Sequence, residues 1–339
     1  MIKEAIGKVI TQTDLSEHEM IDVMDEVMSG SATEAQIGAF ITALRMKGET
    51  VDEIAGAAKV MREKATKVKI DGVADVIDIV GTGGDSSGTF NVSTTTAFVA
   101  AGAGLTVAKH GNRSISSHCG SADVLEALGV NLNLTAEQIG ECISQAGIGF
   151  MFAPMLHGAM KYAIGPRREI GIRTIFNVLG PLTNPANANV YLLGVYAPDL
   201  VETIAGVLAK FDVKRALVVC GEGNIDEITI TGETKVADLV DGKINNYSIK
   251  PEDVGLNRAS LSDIRGGDTA EKSADQLRSV LRGEIGPCLD TVLMNGGAAL
   301  MAAGRVADLQ SGVDLARQTI ESGAAMAKLD ALVAVSNKV

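Results

Sequence analysis

Tryptophan is absent from this sequence, and aromatic residues of any kind are scarce, 7 Phe and 4 Tyr in 339 residues. So few rings leave little surface on which bases can stack, which argues against a single-stranded nucleic-acid platform. Positive charge is in deficit as well: 30 Lys and Arg stand against 42 Asp and Glu, a net charge of −12. A protein this acidic does not bind nucleic acid or an anionic membrane non-specifically, so any anion must be held by a local site. Cysteine is limited to Cys119, Cys142, Cys220 and Cys288, far apart and without a CxxC pair. These read as reduced thiols of a cytoplasmic protein, neither a disulfide framework nor a zinc site. The N-terminal Met-Ile-Lys-Glu lacks a signal-peptide core. The longest stretch without charge, Ser86 to Ala108, is rich in Ser, Thr, Asn and Gly and is not a transmembrane span.

Apolar residues, at 46%, are plentiful enough for a sizeable core, and the length suggests two domains. Glycine is abundant, 38 against 7 prolines, the bias of an α/β protein with tight strand-to-helix turns and backbone lying close to a ligand. Up to about residue 70 no strand-like alternation occurs. Ser16 with Glu19, Ser31 with Glu34 and Thr50 with Glu53 read instead as helix starts, and predict a small all-α module over 1–71. From Asp75 the texture changes. Val76–Val80, Leu105–Ala108, Val190–Tyr196, Ala216–Cys220, Ile228–Thr231 and Ile244–Ile249 read as strands, with helices near 94–103, 123–129, 135–146, 199–211, 269–282 and 288–303. That alternation predicts a large α/β domain over 72–339, with a mostly parallel central sheet flanked by helices. Met151–Pro185 fits neither pattern. It reads as a helical excursion whose part from about 160 to 185 rejoins the N-terminal helices, giving two chain crossings and a hinge near residues 72 and 185.

Three polar segments carry the chemistry. Gly81-Thr82-Gly83-Gly84-Asp85 follows a strand, where glycines let backbone N–H groups converge on an oxyanion. Its spacing is neither a Walker A nor a dinucleotide fingerprint. Asn91-Val92-Ser93-Thr94 sets polar groups at a helix start, a natural anion site; the plain alternative is an ordinary Asn or Ser cap. Lys109-His110-Gly111-Asn112-Arg113 runs on into Ser114, Ile115, Ser116 and Ser117, with His118 and Ser121 beyond. Two cations, a glycine and hydroxyls in one loop suit a polyphosphate, against the alternative of a solvated basic loop. Adjacent Asp226 and Glu227 at a strand end are a candidate Mg²⁺ pair, although such pairs are most often solvated surface. No nucleophile elbow and no plausible Cys nucleophile is present.

Together with Arg173-Thr174-Ile175-Phe176-Asn177 and Leu179-Gly180-Pro181-Leu182-Thr183-Asn184-Pro185, these motifs resemble the anthranilate phosphoribosyltransferase family, in its order and from end to end. The resemblance implies an enzyme of tryptophan biosynthesis. It would convert anthranilate and 5-phosphoribosyl 1-pyrophosphate (PRPP) to N-(5-phosphoribosyl)anthranilate and pyrophosphate, with Mg²⁺. It further implies that Gly81, Gly84, Asp85, Thr89, Asn91, Val92, Ser93, Thr94, Lys109, His110, Gly111, Asn112, Arg113, Ser114, Ile115, Ser116, Ser117 and Ser121 bind PRPP. Ser93, Asp226 and Glu227 would hold the metal, and Gly81, Asn112 and Arg167 anthranilate, Arg167 at its carboxylate. His110 and His157 would lie nearby. One departure stands out: where the family usually has His-Pro-Ala-Met, this chain has His157-Gly158-Ala159-Met160.

The implied displacement at ribose C1 builds oxocarbenium character, as glycoside cleavage does. An aniline nitrogen is hardly protonated at neutral pH, so no strong general base is required and no catalytic residue is assigned. The resemblance also implies a homodimer through the helical module. Some relatives are fused to or complexed with the glutamine amidotransferase of anthranilate synthase; the chain shows no extra domain for it, and such an association is not legible. Two other functions stay open at this point: a pyrimidine nucleoside phosphorylase, disfavoured by Asp226-Glu227 and Lys-His-Gly-Asn, and a non-catalytic nucleic-acid-binding paralogue, disfavoured by the acidic balance. Neither nucleic acid nor a membrane is an expected partner.

Overall fold

The computed structural model describes residues 1–114 and 119–339. The N-terminal part is helical: α1 (Ile2–Val9), α2 (Glu17–Met28), α3 (Glu34–Lys47) and α4 (Val51–Lys64). Ser16 with Glu19 and Thr50 with Glu53 close reciprocal capping boxes, as their spacing predicts. The box of α3 forms on Thr33 and Gln36 instead of Ser31 and Glu34. Ser31 still belongs to the turn that ends α2, where its N–H bonds the Glu26 carbonyl, so it is not free to cap.

Glu53 does more than cap. Its fully buried carboxylate accepts the Leu15 N–H at 2.9 Å, the Thr50 N–H at 2.8 Å and the Lys47 ammonium at 3.0 Å. Lys47 also reaches Asp14 at 2.6 Å, so one buried ion pair ties the α1–α2 connection to the start of α4.

The sheet begins with β1 (Val76–Gly81), then α5 (Val92–Gly102), β2 (Thr106–Gly111), α6 (Ser121–Ala127), α7 (Ala136–Ala146) and β3 (Ile148–Phe152). The excursion follows as α8 (Ala153–Leu156), α9 (Lys161–Ile170) and α10 (Phe176–Leu179). The chain returns through β4 (Val190–Gly194), α11 (Leu200–Leu208), β5 (Arg215–Gly221), β6 (Thr234–Val240) and β7 (Lys243–Ile249). It ends in α12 (Ala270–Leu281), α13 (Pro287–Ala302), α14 (Leu309–Glu321) and α15 (Ala324–Ser336). Among the described residues the sheet has seven strands in the order β3-β2-β1-β4-β5-β6-β7, parallel up to β5, with β6 and β7 as an antiparallel edge. The predicted α/β architecture, a helical module beside a mostly parallel sheet, is the one observed. Central strands such as β1 are buried nearly along their length and apolar except for Asp78, as suits a strand covered on both faces. No helix among the described residues is long and apolar enough to cross a membrane.

Three expectations need correction. Ile228–Thr231 forms no strand, because the Asn295 side chain on α13 takes the Ile228 N–H at 3.0 Å and carbonyl at 2.7 Å. Met151 and Phe152 finish a strand, Ile148–Phe152, that the helical reading of the segment missed, and the rest of the excursion is broken into short pieces, α9 carrying Pro166 inside it. The hinge near residue 185 is no loose linker: Val68 N–H bonds the Pro185 carbonyl at 3.2 Å, so the two crossings are stitched to each other. Helix α9 packs on α3 and α2, and α11 on α4.

Removing the Glu53 carboxylate strands the Leu15 N–H and a buried ammonium. Glu53→Ala is therefore expected to cost about 3–5 kcal/mol in urea unfolding. A loss under about 1 kcal/mol would mean that water replaces the carboxylate there.

Candidate active site

The sheet order brings the C-terminal ends of β1, β4 and β5 side by side, and the acidic pair arrives among them. After β5 the chain closes a tight turn, Gly221 N–H to the Ile225 carbonyl at 2.8 Å, through Gly223 and Asn224 in left-handed conformations. Asn295 then pins Ile228 on the far side. Asp226 and Glu227 are thereby turned inward: Asp226 lies against Gly81 and Gly194, where any Cβ would run into its carboxylate or its backbone. Glycine at the end of β1 and of β4 is thus what allows the approach.

The acidic pair meets the two anion-binding loops directly. Asp226 Oδ2 accepts the Gly83 N–H at 2.6 Å, and Glu227 Oε1 accepts the Ser93 N–H at 3.1 Å in the first turn of α5. Asn91 does not cap that helix; its amide donates to the Cys119 carbonyl at 3.2 Å, and Glu227 takes the helix terminus instead. Asp85 completes the cluster, with Oδ1 on the Ser87 N–H at 3.2 Å and Oδ2 buried without a hydrogen-bond partner among the described residues. Burial, and then the charge of Asp85, push the Asp226 carboxyl up to about 7. Burial and the Asp226 charge raise Glu227 well above the ordinary carboxylate range.

Both cations of the Lys109 loop are committed. The Lys109 ammonium is buried and donates to the Ile79 carbonyl at 2.7 Å and to Ser93 Oγ at 3.3 Å. Burial lowers its pKa, against the opposing charges of Asp78, Glu227 and Asp226. The Arg113 guanidinium grips Asp123 at 2.8 Å and Glu126 at 2.9 Å. Asp123 also takes the N–H groups of Ser114 at 3.1 Å and Gly120 at 2.9 Å, fastening the described ends of the loop. Ser121 Oγ donates to the Asn112 carbonyl at 3.1 Å, close over Gly111. Val92 and Thr94 point into the core, so only their backbone faces the loops. Thr89 pairs with Arg265 in an isolated bridge beside Ser87. Ile115, Ser116 and Ser117, like His118, lie outside the described residues.

The two histidines meet. His110 Nδ1 lies 3.2 Å from the Gly180 carbonyl, which only accepts, so Nδ1 carries the proton. His110 Nε2 is then an acceptor, and the contact of 3.1 Å to His157 Nε2 requires His157 to donate. Burial lowers the two rings to about 3 and about 4, so both are neutral. Gly158, standing in for the usual proline, has nothing within 4 Å of where a Cβ would sit, and His157 keeps its contact without it. Arg167, on α9, lies over the Phe176 ring at 5.1 Å and makes no hydrogen bond or ion pair among the described residues. Its pKa is lowered by burial alone.

Sequence reasoning gave no role to three contributors, although Arg173 and Asn184 lie within its motifs. Asp78 and Asn184 lie buried behind the loops, and Arg173 joins the excursion to the glycine loop, donating to the Gly84 carbonyl and covering the Tyr196 ring at 4.4 Å. A carboxylate inside the β-branched run Val76–Val80 was the available signal for Asp78.

The donor set is all oxygen: Asp85, Asp226, Glu227 and the Ser93 hydroxyl. Among the described residues no three acidic, His or Cys groups converge as a finished metal cage. Hard oxygen donors that fill only part of a coordination shell, one of them buried without a partner, fit Mg²⁺, which keeps waters and shares phosphate oxygens.

A glycine loop and a helix terminus that face a pair of buried carboxylates suit a phosphorylated ligand together with a divalent cation. The helical-bundle domain of a glycosyl transferase family matches residues 3–65, and the a/b domain of that family matches residues 73–326. The chain is 60% identical to an anthranilate phosphoribosyltransferase of Desulfotalea psychrophila, over 98% of this chain and 96% of that one. It is 55% identical to that of Trichlorobacter lovleyi, over 99% and 100%. Its structure is similar to the anthranilate phosphoribosyltransferase of Thermus thermophilus, with a TM-score of 0.93, 44% identity, and 98% and 99% of the two chains covered. It also resembles that of Saccharomyces cerevisiae in complex with PRPP and Mg, with a TM-score of 0.90, 27% identity, and 100% and 98% covered. The chain belongs to the anthranilate phosphoribosyltransferase family of glycosyl transferases.

The neutral histidine pair has a thermodynamic signature. An ordinary imidazole titrates near 6.5, whereas these two stay unprotonated down to about 4 and about 3. Below 6.5 the unfolded chain binds protons that the folded one refuses, so stability falls as pH drops from 6.5 towards 4. Two such groups contribute a slope of up to about 2.7 kcal/mol per pH unit. His157→Gln should remove about half of it, read as the difference between the two proteins in urea unfolding from pH 4.5 to 7. Equal slopes would mean that the rings charge within the fold.

Proposed function

We propose that the chain joins anthranilate to the phosphoribosyl group of PRPP through the residues described above. The reaction is that of the family: anthranilate and PRPP give N-(5-phosphoribosyl)anthranilate and pyrophosphate, a Mg²⁺-dependent pentosyl transfer in tryptophan biosynthesis. The observation that carries this reading is the meeting of Asp226 and Glu227 with the glycine loop and the start of α5. Relatives of known structure carry PRPP with Mg, and 4-fluoroanthranilate.

In this reading PRPP lies along Gly81–Asp85, Thr89, Asn91–Thr94, Lys109–Ser117 and Ser121. Ser93, Asp226 and Glu227, with Asp85 beside them, would hold Mg²⁺, which neutralises charge on the departing pyrophosphate. With Lys109 and Arg113 engaged by protein groups, the phosphates are met chiefly by backbone N–H groups and hydroxyls. Such donors act most strongly where water is excluded. Anthranilate lies between Gly81, Asn112 and Arg167, beside the His110–His157 pair. Arg167 suits a carboxylate, since its guanidinium is half-buried and unpaired among the described residues. Proton abstraction is a minor demand on an aniline nitrogen, and no catalytic base is assigned to the two imidazoles, which stay neutral down to about 3 and about 4. Catalysis then rests on holding the two substrates in line.

The division of labour follows the chain: a small domain of residues 1–71, joined by about 160–185, and a large domain of 72–339 that carries PRPP. The exposed Ile10, Met46, Tyr162 and Ile164 on the small-domain side support a homodimer through that module. A cytoplasmic location accords with cysteines that form no disulfide among the described residues.

The direct test is fluorescence-monitored consumption of anthranilate with PRPP and Mg²⁺. Wild type should turn over, and Asp226→Ala/Glu227→Ala should lose at least about a hundredfold in kcat, as charge stabilisation of this kind is typically large. Near-normal turnover of that variant at low millimolar Mg²⁺ would remove the acidic pair from the reaction. Arg167→Ala should raise the KM for anthranilate by roughly ten- to a hundredfold and leave that for PRPP nearly unchanged, the loss of one charge-assisted contact. Methyl anthranilate should then discriminate against wild type far more than against the variant; equal discrimination would refute the carboxylate contact.

A further inference from the structure

The seam between β1 and β2 opens early. These strands pair only at Val76–Thr106 and Ile77–Val107, whereas β1 stays paired with β4 to Gly81–Gly194 and β2 with β3 to Gly111–Phe152. Backbone groups along the open seam are satisfied by side chains. Asp78 Oδ1 accepts the His110 N–H at 3.1 Å, the Asn184 amide donates to the Ala108 carbonyl at 2.9 Å, and the Lys109 ammonium donates to the Ile79 carbonyl at 2.7 Å. The Asn184 amide gives its other hydrogen to Asp78 Oδ2 at 2.7 Å, while Asn184 Oδ1 accepts the Ala186 N–H at 2.9 Å. Both side chains are fully buried. A buried carboxylate and amide with all these bonds made are a wedge, not a defect.

The wedge lies under the loops that carry the chemistry. The open seam gives the Lys109 ammonium its place beneath Ile79, within reach of Ser93 Oγ. Asp78 sets the height of the strand end from which His110 meets Gly180 and His157. We propose that Asp78 and Asn184 are positioning residues of the transfer reaction: by holding β1 and β2 apart they set the Lys109 ammonium behind Ser93 and the acidic pair, and aim His110 at the anthranilate side. This rests on the function proposed above and adds to it two residues that touch neither substrate.

The test uses the full-length protein. Asp78→Asn keeps an acceptor for the His110 N–H but sets one amide against the other, so the wedge is disturbed at nearly constant volume. It should lower kcat/KM for PRPP and for anthranilate together, by roughly ten- to a hundredfold, unlike Arg167→Ala, which acts on one substrate. Asn184→Ala should do the same, since it removes the donor to both Asp78 and the Ala108 carbonyl. Nitrogen-15 spectra of histidine-labelled protein give a readout independent of turnover: the His110 Nδ1–H and Nε2 signals should shift in both single variants. A folded Asp78→Asn with wild-type kinetics and unshifted histidine signals would overturn the proposal. If Asp78→Asn does not fold, Asn184→Ala decides by the same criteria. Should wild type not turn over these substrates at all, the proposed function fails, and the histidine signals alone decide whether the wedge positions His110.

Discussion

Burying the Asp226–Glu227 pair at one end of a parallel sheet, with the half-buried Asp85 beside it, is the constraint on which the rest of this structure depends. Burial, and then the charge of Asp85, raises Asp226 to about 7. The fold offsets the cost with fixed dipoles and one cation: the Gly83 N–H, the Ser93 N–H at the start of α5, and Lys109. Each of those in turn imposes a requirement. Asp226 can enter only if the ends of β1 and β4 are glycine, and Glu227 reaches α5 only because Asn295 holds Ile228. Lys109 can lie behind the carboxylates only if β1 and β2 part.

This arrangement changes the meaning of the basic loop. Lys109 and Arg113 concentrate charge in a chain of net −12, yet neither is a free cation: one serves the interior, the other clamps Asp123 and Glu126. If PRPP and Mg²⁺ meet at these groups, as proposed, any coupling of their affinities is reciprocal, each raising the other by the same factor.

Much of this was legible in the residues, and the part that was not has physical reasons. Helix starts on Ser16 and Thr50 and the strand into Gly81 follow from local rules that tertiary structure did not override, whereas the meeting of the acidic and glycine motifs joins distant parts of the chain and was legible only through the family resemblance. Ile228–Thr231 was misread because β-branched composition describes a buried extended segment, and cannot tell a neighbouring strand from an asparagine side chain as its hydrogen-bond partner. Of the site, the residue types and their proximity were readable, but not their present partners. Whether an arginine is paired depends on residues far off in sequence, so Arg113 and Arg167 looked alike, though one is saturated and the other is not. The loop ends at Ser114 and Gly120 show the same limit: Asp123, which fastens both, carries no motif.

The connection between helical module and sheet takes a different character in this light. Arg62, on α4, donates to the Leu182 carbonyl at 2.7 Å and to the Tyr191 hydroxyl at 3.2 Å, and covers the Phe211 ring at 4.2 Å. Two residues further on, Asn184 holds Asp78, and the next carbonyl, that of Pro185, holds Val68. A crossing bonded at 182, 184 and 185 to both bodies resists a large swing about that point, because such a rotation would break these hydrogen bonds. It is well suited to transmit. A displacement of α4 bears on Leu182, hence on Asn184 and Asp78, and so on the strand end that carries Lys109 and His110. The helical module is thereby joined to the reacting groups twice, through α9 with Arg167 on the outside and through this buried seam within. Any relative movement of the two parts must then be absorbed by the excursion itself, where Gly171 in a left-handed turn and Gly158 without close neighbours leave the backbone less constrained than at the seam.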